Sequence, residues 1–462
     1  AGMAHSADLF RQLIFLPLTL LLPVELFRYV WHFLMILTGV IGSFYLFIFL
    51  LKKQNSQNLL AFLGASFYLL NFGTVQNFYV SFEPFAAFYA FLPLLLLFVL
   101  KLLYEKNFKK DLLVFFILSI LSSSMFYVQT IFVVYFALVS LLLFFYFLQN
   151  RASWKKVLFL FSMVLVVNSF WLLNVLHFTI NGSELLADSK GKAMSNEVLS
   201  LKNQAFADFS HLAKLQGFWL GETDFDQFGN AVYLFDTWKT HFNYLSVNVL
   251  AFVFFTLVSL GAWQLFRKKV KHRFFIFGGF LLSLWMMALN AFPFSMLTRF
   301  VEKIFPLFDE MFRINFTKWV VPYSLFYSLL LTFGLAFVFS LLKKKIFKLI
   351  FALIFFIALI FYSLPSFQGH FFYERLRVKI PEAYFQLFNY FKYEAPDSSR
   401  IANLPQHSFY GWQWNDWGYR GSGFLWYGIK QSILDRAFDV WSEADERYYW
   451  QLQAALDKKD LK

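Results

Sequence analysis

The chain contains no cysteine, and only 15% of its 462 residues are charged. The absence of cysteine excludes disulfide bonds, thiolate nucleophiles and cysteine-ligated metals, and it leaves the redox compartment open. The low charge excludes an ordinary soluble enzyme, because soluble chains carry about 25% charged residues. No Walker loop, GxGxxG, HExxH or GxSxG motif stands in a convincing context, so nucleotide-driven transport and zinc or serine hydrolysis lack support.

Hydrophobic residues, by contrast, make up 59% of the chain, and 69 residues are phenylalanine. So large an apolar content requires lipid as a second solvent. Segments of about 17 to 25 apolar residues can cross a bilayer. Ten segments qualify: Arg28–Leu51, Leu59–Gln76, Phe85–Leu100, Leu112–Val128, Gln129–Leu148, Val157–Phe178, Tyr244–Phe266, Phe274–Phe292, Trp319–Leu342 and Leu349–Leu364. The sequence therefore predicts an all-α polytopic membrane protein with about ten transmembrane helices.

Basic residues are concentrated in every second loop between these segments. Five alternate loops hold 18 of the 41 basic residues but only two of the 28 acidic ones: 52–58, 101–111, 149–156, 267–273 and 343–348. Cytoplasmic loops of membrane proteins concentrate Lys and Arg, so these loops are predicted to face the cytoplasm. The net charge of +13 then reflects topology in a plasma or inner membrane, and it no longer indicates nucleic-acid binding.

This topology divides the chain into two regions. Residues 1–364 form the predicted transmembrane domain, with outer loops at 179–243 and 293–318, and residues 365–462 form a small extracytoplasmic region of α/β or mixed structure. The first span runs from outside to inside, so we expect a further helix upstream. The sequence ends within an amphipathic pattern, so we also expect truncation at the C-terminal end.

The N-terminal segment 9–27 is apolar but is interrupted by Pro17 and Pro23. Proline breaks a helix interior, so this segment is predicted to lie as a helix at the outer membrane interface.

The predicted spans contain no Asp or Glu. Proton- and ion-coupled transporters usually place ionisable groups near the membrane midplane, so a secondary transporter is disfavoured. His32 and His177 lie near outer span ends, where we interpret them as wet interface residues.

Two acidic residues lie at the outer surface. Glu83 is in the short loop VSFEPF, and Asp8 precedes the interfacial helix. A carboxylate at this level could act as a general base on an acceptor hydroxyl of a lipid-linked reaction. The alternative for each is an ordinary solvated loop acid.

The segment FPLFDEMFRINFTKW, 305–319, places two cations at the outer mouth of a span. Arg313 could bind a lipid-linked phosphate in a bidentate manner, and Lys318 could act as a point charge. The alternative is a pair of cations that snorkel to the interface.

The C-terminal region is dense in aromatic residues, including Trp412, Trp414 and Trp417. Aromatic faces stack on sugar rings, so these residues are candidates for glycan contact. The core of a small domain or an interface belt is the alternative. The sequence shows no His/Asp cluster with ligand spacing, so no metal site is predicted, although a divalent metal is possible.

The order of several segments resembles a known family. FYLLNFGTVQNFYVSFEPFAAFYAFLPLLL, NSFWLLNVL, SLKNQAFADFSHLAKLQGFW and FPLFDEMFRINFTKW follow one another within residues 1–345. This order is similar to that in bacterial GT-C superfamily membrane glycosyltransferases, in particular the arabinofuranosyltransferase type with an N-terminal GT-C domain.

The resemblance implies a polyprenyl-phosphate sugar donor, a glycan or lipid acceptor at the outer face, and inversion at the anomeric carbon. Such enzymes keep a catalytic acid in the first outer loop, which here would be Asp8 or a residue upstream of the chain. Glu83 would lie in the second outer loop. Arg313 and Lys318 match the family's segment of Arg followed by Lys. A transporter or flippase for a lipid-linked sugar, and a non-catalytic envelope assembly protein, stay as alternatives.

Overall fold

The computed structural model describes residues 5–52, 54, 56–187, 198–226, 228–289, 291–305, 307–376, 378–404, 413–421, 423–435 and 443–458. Most of these residues are helical. The predicted site residue Trp412 lies outside them, as do the side chains of Trp414 and Glu310.

The described residues up to 187 form nine α-helices. They are α1 Leu9–Leu18, α2 Val24–Leu50, α3 Gln57–Leu70, α4 Phe72–Tyr79, α5 Glu83–Tyr104, α6 Phe108–Leu121, α7 Gln129–Gln149, α8 Trp154–Val167 and α9 Ser169–Ala187. Pro17 lies in the last turn of α1 and Pro23 immediately precedes α2. The predicted segment 9–27 therefore forms a separate helix only as far as Leu18, and its residues 24–27 belong to α2. Its position at the membrane interface stays a prediction.

The rest of the chain adds residues 198–226 and 228–243 of the predicted outer loop, which we call the outer segment, then four long helices and a mixed C-terminal region. Its elements are α10 Phe209–Ala213, β1 Thr223–Phe225, β2 Ala231–Tyr233, α11 Asp236–Phe242, α12 Leu245–Arg267, α13 Arg273–Met287, α14 Phe294–Ile304, α15 Phe308–Phe312, α16 Asn315–Leu341, α17 Lys345–Tyr362, α18 Glu382–Tyr393, β3 Arg400–Ala402, β4 Gln413–Trp414, β5 Arg420–Gly421, β6 Ser432–Leu434 and α19 Glu443–Asp457.

Among the described residues, six helices are long and apolar enough to cross a membrane: Leu26–Leu50, Glu83–Tyr104, Gln129–Gln149, Leu245–Arg267, Asn315–Leu341 and Lys345–His370. Two further spans arise if each bent pair, α3 with α4 and α8 with α9, counts as one. The chain is therefore an all-α multi-pass membrane protein in its main part. The count of ten spans stays a prediction.

Two of the ten predicted spans are shorter helices. In place of 112–128, α6 ends at Leu121, and a 3-10 turn follows over Ser123–Tyr127. The Ser122 hydroxyl donates to Ser119 O and the Ser123 hydroxyl donates to Ala7 O, so serine side chains divert this segment from regular helix. In place of 274–292, α13 has only 15 residues.

The two long helices α2 and α5 pack side by side and run in the same direction. Gly39 lies against the Tyr89 ring and Gly42 against Leu94, while Trp31 reaches the start of α5 at Glu83. The alternating topology predicted from the basic loops requires such a parallel pair, because both helices run away from the same face.

Helices α12 and α16 form a second parallel pair through two glycines. A Cβ atom at Gly261 would lie 1.8 Å from Leu330 O, and one at Gly334 would lie 2.0 Å from Leu257 O. Only glycine allows the two backbones to approach this closely, which is the usual reason for small residues between membrane helices.

Four of the five predicted inner loops meet at one end of the helices, which we call the basic end. The His272 ring contacts the rings of Phe49 and Tyr104, and Lys156 Nζ donates to Leu103 O over 3.1 Å. Glu83 begins α5 and Tyr104 ends it, so Glu83 lies about 32 Å away along the helix, at the opposite end.

The bend of 44° between α3 and α4 is stabilised by a fully buried asparagine. The side-chain oxygen Oδ1 of Asn71 accepts from Thr74 N and from the Ser324 hydroxyl, each over 3.0 Å. The Asn71 amide donates to Phe67 O and Tyr68 O. These bonds satisfy backbone groups that the break would otherwise leave unpaired in an apolar interior.

The C-terminal region combines helices with short strands, as the sequence predicts. Strands β3 and β6 pair in parallel, with Arg400 opposite Ser432, and β4 and β5 pair antiparallel. The predicted division at residue 364 falls just after α17, which ends at Tyr362.

Candidate functional site

The predicted carboxylate Asp8 directly precedes α1 and is hydrogen-bonded to side chains in the first turn of that helix. Arg11 donates from Nε and Nη2 to the two carboxylate oxygens, each over 2.6 Å, and the Gln12 amide donates over 2.7 Å. Asp8 is only 6% exposed. Both oxygens are engaged, which suits a residue that positions Arg11. The spacing of three and four residues along a helix is a sequence signal for this pairing.

The second predicted carboxylate, Glu83, begins α5 and retains access to solvent. Its Oε1 lies 2.9 Å from Arg28 Nε, and the two side chains are 20% and 53% exposed. Arg28 also donates from Nη2 to Ser81 O over 2.6 Å. Glu83 is therefore a half-buried carboxylate held beside a cation at the end opposite the basic loops.

Trp31 contacts both the cation that binds Asp8 and the main chain of Glu83. Its ring lies 5.7 Å from the Arg11 guanidinium, and its indole nitrogen donates to Glu83 O over 3.5 Å. The structure thus brings Asp8 and Glu83 into one group with Arg11, Arg28 and Trp31. We call this group the carboxylate cluster.

His32 also belongs to the carboxylate cluster, and the interpretation of it as a wet interface residue is wrong. His32 is 3% exposed, because the rings of Phe78 and Phe372 pack against it. Its Nδ1 lies 2.7 Å from Arg28 O, and its Nε2 has no hydrogen-bond partner in the described part of the chain. His177 is exposed, as expected.

The sequence reasoning selected none of Arg11, Arg28, Trp31 and His32 as a functional candidate. Arg28 and His32 form a pair on α2. Their spacing of four residues on α2 places both on one helix face. Their relation to Glu83 depends on the packing of α2 against α5, which no local pattern contains.

Arg313 lies between α15 and α16, in a different set of contacts from the carboxylate cluster. It lines a recess of about 20 Å³ together with Asn203, Glu302 and Asp309. This volume accommodates about one water molecule. An anionic phosphate in this recess would lie beside two acidic side chains, Asp309 and Glu302, as well as beside Arg313.

Lys318 lies in the first turn of α16 and is half-buried. Nearby, the Phe316 ring packs against Gly217 and Phe218 of the outer segment. The first turn of α16 is therefore fixed against the outer segment.

The outer segment descends between the helices, which the sequence reasoning did not anticipate. Tyr323 and Tyr327 donate from their hydroxyls to Leu212 O and Ala213 O over 3.1 and 2.9 Å. Tyr327 is the thirteenth residue of α16, so this contact lies about 18 Å along the helix.

A buried glutamine on α4 also binds this part of the outer segment. The Gln76 amide donates to Leu215 O over 2.8 Å and its carbonyl accepts from Gly217 N over 3.0 Å. Burial lowers the pKa of Lys214, which lies between these contacts. Tyrosine at positions i and i+4 of an apolar span is the sequence signal that could have suggested a polar main-chain segment beside α16.

A second buried charge group joins the outer segment to the C-terminal region. Asp224 is 4% exposed; Arg420 donates to it from Nε, and Tyr373 donates its hydroxyl over 2.5 Å. Arg420 also donates from Nη2 to Phe225 O over 2.8 Å. Burial and the contact with Asp224 raise the pKa of Tyr373.

Of the three candidate glycan-contacting tryptophans, only the Trp417 side chain is described. Its ring contacts Tyr384, Tyr419 and Phe424 at centroid distances between 5.1 and 5.7 Å. Trp417 thus lies in a small aromatic core, which is the arrangement that the packed-domain alternative predicts.

The described residues contain no group of three or more His, Asp or Glu side chains that could hold a metal ion.

Comparison of the chain with protein-family models, with curated proteins and with solved structures gave no match in any of the three.

Proposed function

We propose that this protein is a membrane glycosyltransferase. It would transfer a sugar from a polyprenyl-phosphate donor to a glycan or lipid acceptor at the end opposite the basic loops, in a plasma or inner membrane. The observation that carries the proposal is Glu83, a partly exposed carboxylate at the end of an apolar helix, paired with Arg28 at 2.9 Å. The ordered resemblance to GT-C enzymes supports the same assignment.

In this mechanism the Glu83 carboxylate accepts the proton of the acceptor hydroxyl. The resulting oxygen attacks the anomeric carbon, the new glycosidic bond forms, and the bond to the donor phosphate breaks with inversion. The phosphate leaves with the electron pair. Arg28 orients Glu83. Asp8 acts indirectly, because it holds Arg11 against Trp31.

The donor phosphate needs a cation at this end of the molecule. Arg313 and Lys318 are the candidates that the resemblance supplies. The recess at Arg313 is narrow and is also lined by Asp309 and Glu302, which disfavour an anion there. Arg28 is 53% exposed and lies beside the proposed base. Arg28 is therefore a third candidate for binding the donor phosphate.

The proposal is tested in membranes supplied with a panel of radiolabelled polyprenyl-phosphate sugars. Glu83→Gln is expected to reduce product formation by about 10²-fold or more, because it removes the base while keeping the shape. Arg313→Ala is expected to raise the donor concentration needed. Glu105→Gln, at the basic end, is the matched control and should leave transfer unchanged. If Glu83→Gln and Arg313→Ala both transfer at the normal rate, the site assignment fails.

A transporter or flippase for a lipid-linked sugar is the second candidate. It is favoured by the broken helix at Asn71, because transporters build their binding sites at discontinuous helices. Reconstituted vesicles distinguish the two: a flippase moves labelled lipid-linked sugar across the bilayer without forming a glycosidic product, whereas the transferase releases polyprenyl phosphate.

A further inference from the structure

A groove opens between α2 and α5 at the basic end, far from the carboxylate cluster. Its volume is about 460 Å³, within the range of small-molecule sites. The wall is apolar and includes Ile48, Phe49, Leu94 and Leu97.

The mouth of the groove is cationic. Lys52 and Lys101 line it, and Glu105 is the acidic residue among the lining side chains. Lys101 Nζ lies 5.0 Å from the centre of the Phe98 ring, so its stem follows the apolar wall while its charge stays at the mouth.

A third cation reinforces this charge from the neighbouring loop. Lys271 lies over the Tyr104 ring at 3.9 Å. Burial and the positive charge of Lys52 lower the pKa of Lys271. The mouth therefore carries more positive than negative charge and would attract an anion.

We propose that this groove binds one anionic phospholipid, with its phosphate between Lys52 and Lys101 and an acyl chain along Phe49, Leu94 and Leu97. Leu94 lies seven residues from Lys101 on α5, about 10 Å along the helix. A chain anchored at the lysines would thus run from the level of the headgroups into the hydrocarbon layer. Basic pockets between helices on the cytoplasmic side of a membrane have this preference.

The apolar wall and the charged mouth together select a lipid over a soluble anion. A soluble phosphate would leave the wall of the groove exposed, and a zwitterionic lipid would bring its own cation towards Lys52 and Lys101. Both arguments predict a preference for phosphatidylglycerol over phosphatidylcholine with the same chains.

The test is native mass spectrometry of the full chain in detergent, titrated with these two lipids. The wild type should bind one phosphatidylglycerol more tightly than phosphatidylcholine. The double variant Lys52→Gln, Lys101→Gln should bind phosphatidylglycerol about 30-fold more weakly, since each lysine near a surface phosphate contributes a factor of about five. Lys52→Gln alone should lose about fivefold, which keeps the test valid if the double variant does not fold.

The matched control is Lys109→Gln, Lys110→Gln, which removes the same charge at the same end from exposed positions on α6. It should leave phosphatidylglycerol binding unchanged. Equal binding by the wild type and Lys52→Gln, Lys101→Gln would overturn the proposal, as would an equal loss in the control. Displacement of the lipid by glycerol phosphate at the same concentration would also overturn it, because that result identifies a soluble-anion site.

Discussion

Tyr373 donates its hydroxyl to Asp224 across 149 residues of sequence, over 2.5 Å. Tyr373 N also donates to Tyr79 O over 2.8 Å, at the end of α4. One residue thus joins the C-terminal region to both the outer segment and a broken apolar helix. The relative position of these three parts depends on a buried carboxylate that Arg420 neutralises.

The first prediction concerns this contact. Tyr373→Phe removes a hydrogen bond to a charged group and should lower the free energy of unfolding by about 1.5–3 kcal/mol. Thermal unfolding in detergent measures the change, and limited proteolysis should show earlier cleavage in 365–435. Tyr393→Phe is the control, because Tyr393 is 71% exposed. Equal stability of the two variants would contradict the role given to Tyr373.

The second prediction concerns the glycine contact between α12 and α16. Gly261→Val should destabilise the protein by more than the about 1–3 kcal/mol typical of overpacking, because the new Cβ meets Leu330 O, a backbone atom, at 1.8 Å. The yield of monodisperse protein and its unfolding temperature measure the effect. Gly278→Ala is the control, since its Cβ meets side-chain atoms, the nearest of them on Phe145 at 3.1 Å. A monodisperse Gly261→Val of normal stability would refute this packing.

The third prediction separates catalysis from stability at the carboxylate cluster. The Arg28–Glu83 pair is partly exposed, so Arg28→Gln should change the free energy of unfolding by about 1 kcal/mol or less. It should nevertheless reduce sugar transfer strongly, because Glu83 loses the cation that orients it. Stability and transfer are measured on the same preparation. A variant that loses both in proportion would indicate a structural role only.

The fourth prediction concerns pH. Burial, with a smaller contribution from Lys271, lowers the pKa of His272 from 6.5 to about 4. Between these values the unfolded chain binds a proton that the folded protein does not, so stability falls as pH falls through this window. The slope from this group approaches about 1.4 kcal/mol per pH unit.

Unfolding measured at pH 7.5, 6 and 5 should therefore show a smaller acid loss in His272→Gln than in the wild type. His177→Gln, at an exposed position, should retain the wild-type dependence. A wild-type slope in His272→Gln would contradict the assignment of this window to His272.

Much of the helical architecture could be predicted because its signals are local. A run of apolar residues such as Gln129–Gln149 forms a helix wherever the bilayer supplies the second solvent. The basic loops could be assigned to a common end because Lys and Arg content is read loop by loop. The shorter α6 could not be predicted, since its end depends on Ser123 reaching Ala7, 116 residues away.

The candidate site was predictable only in part. Asp8 and Glu83 could be selected as outer acids, but the burial of His32 and the pairing of Glu83 with Arg28 follow from how α2 packs on α5. The position of the outer segment was missed because its bonded groups are main-chain atoms, which carry no sequence signature, and only the spacing of Tyr323 and Tyr327 on α16 indicates it.

The sequence by itself determined the solvent of this protein and the common side of its basic loops, because hydropathy and charge are properties of each segment alone. Only the tertiary structure decided which polar groups meet inside. The contacts of Asn71 with Ser324, of Gln76 with Leu215 and of Asp224 with Tyr373 join residues more than a hundred positions apart. Each buried polar group had to find a partner in an apolar interior, and its partner was set by the packing of helices and outer segments.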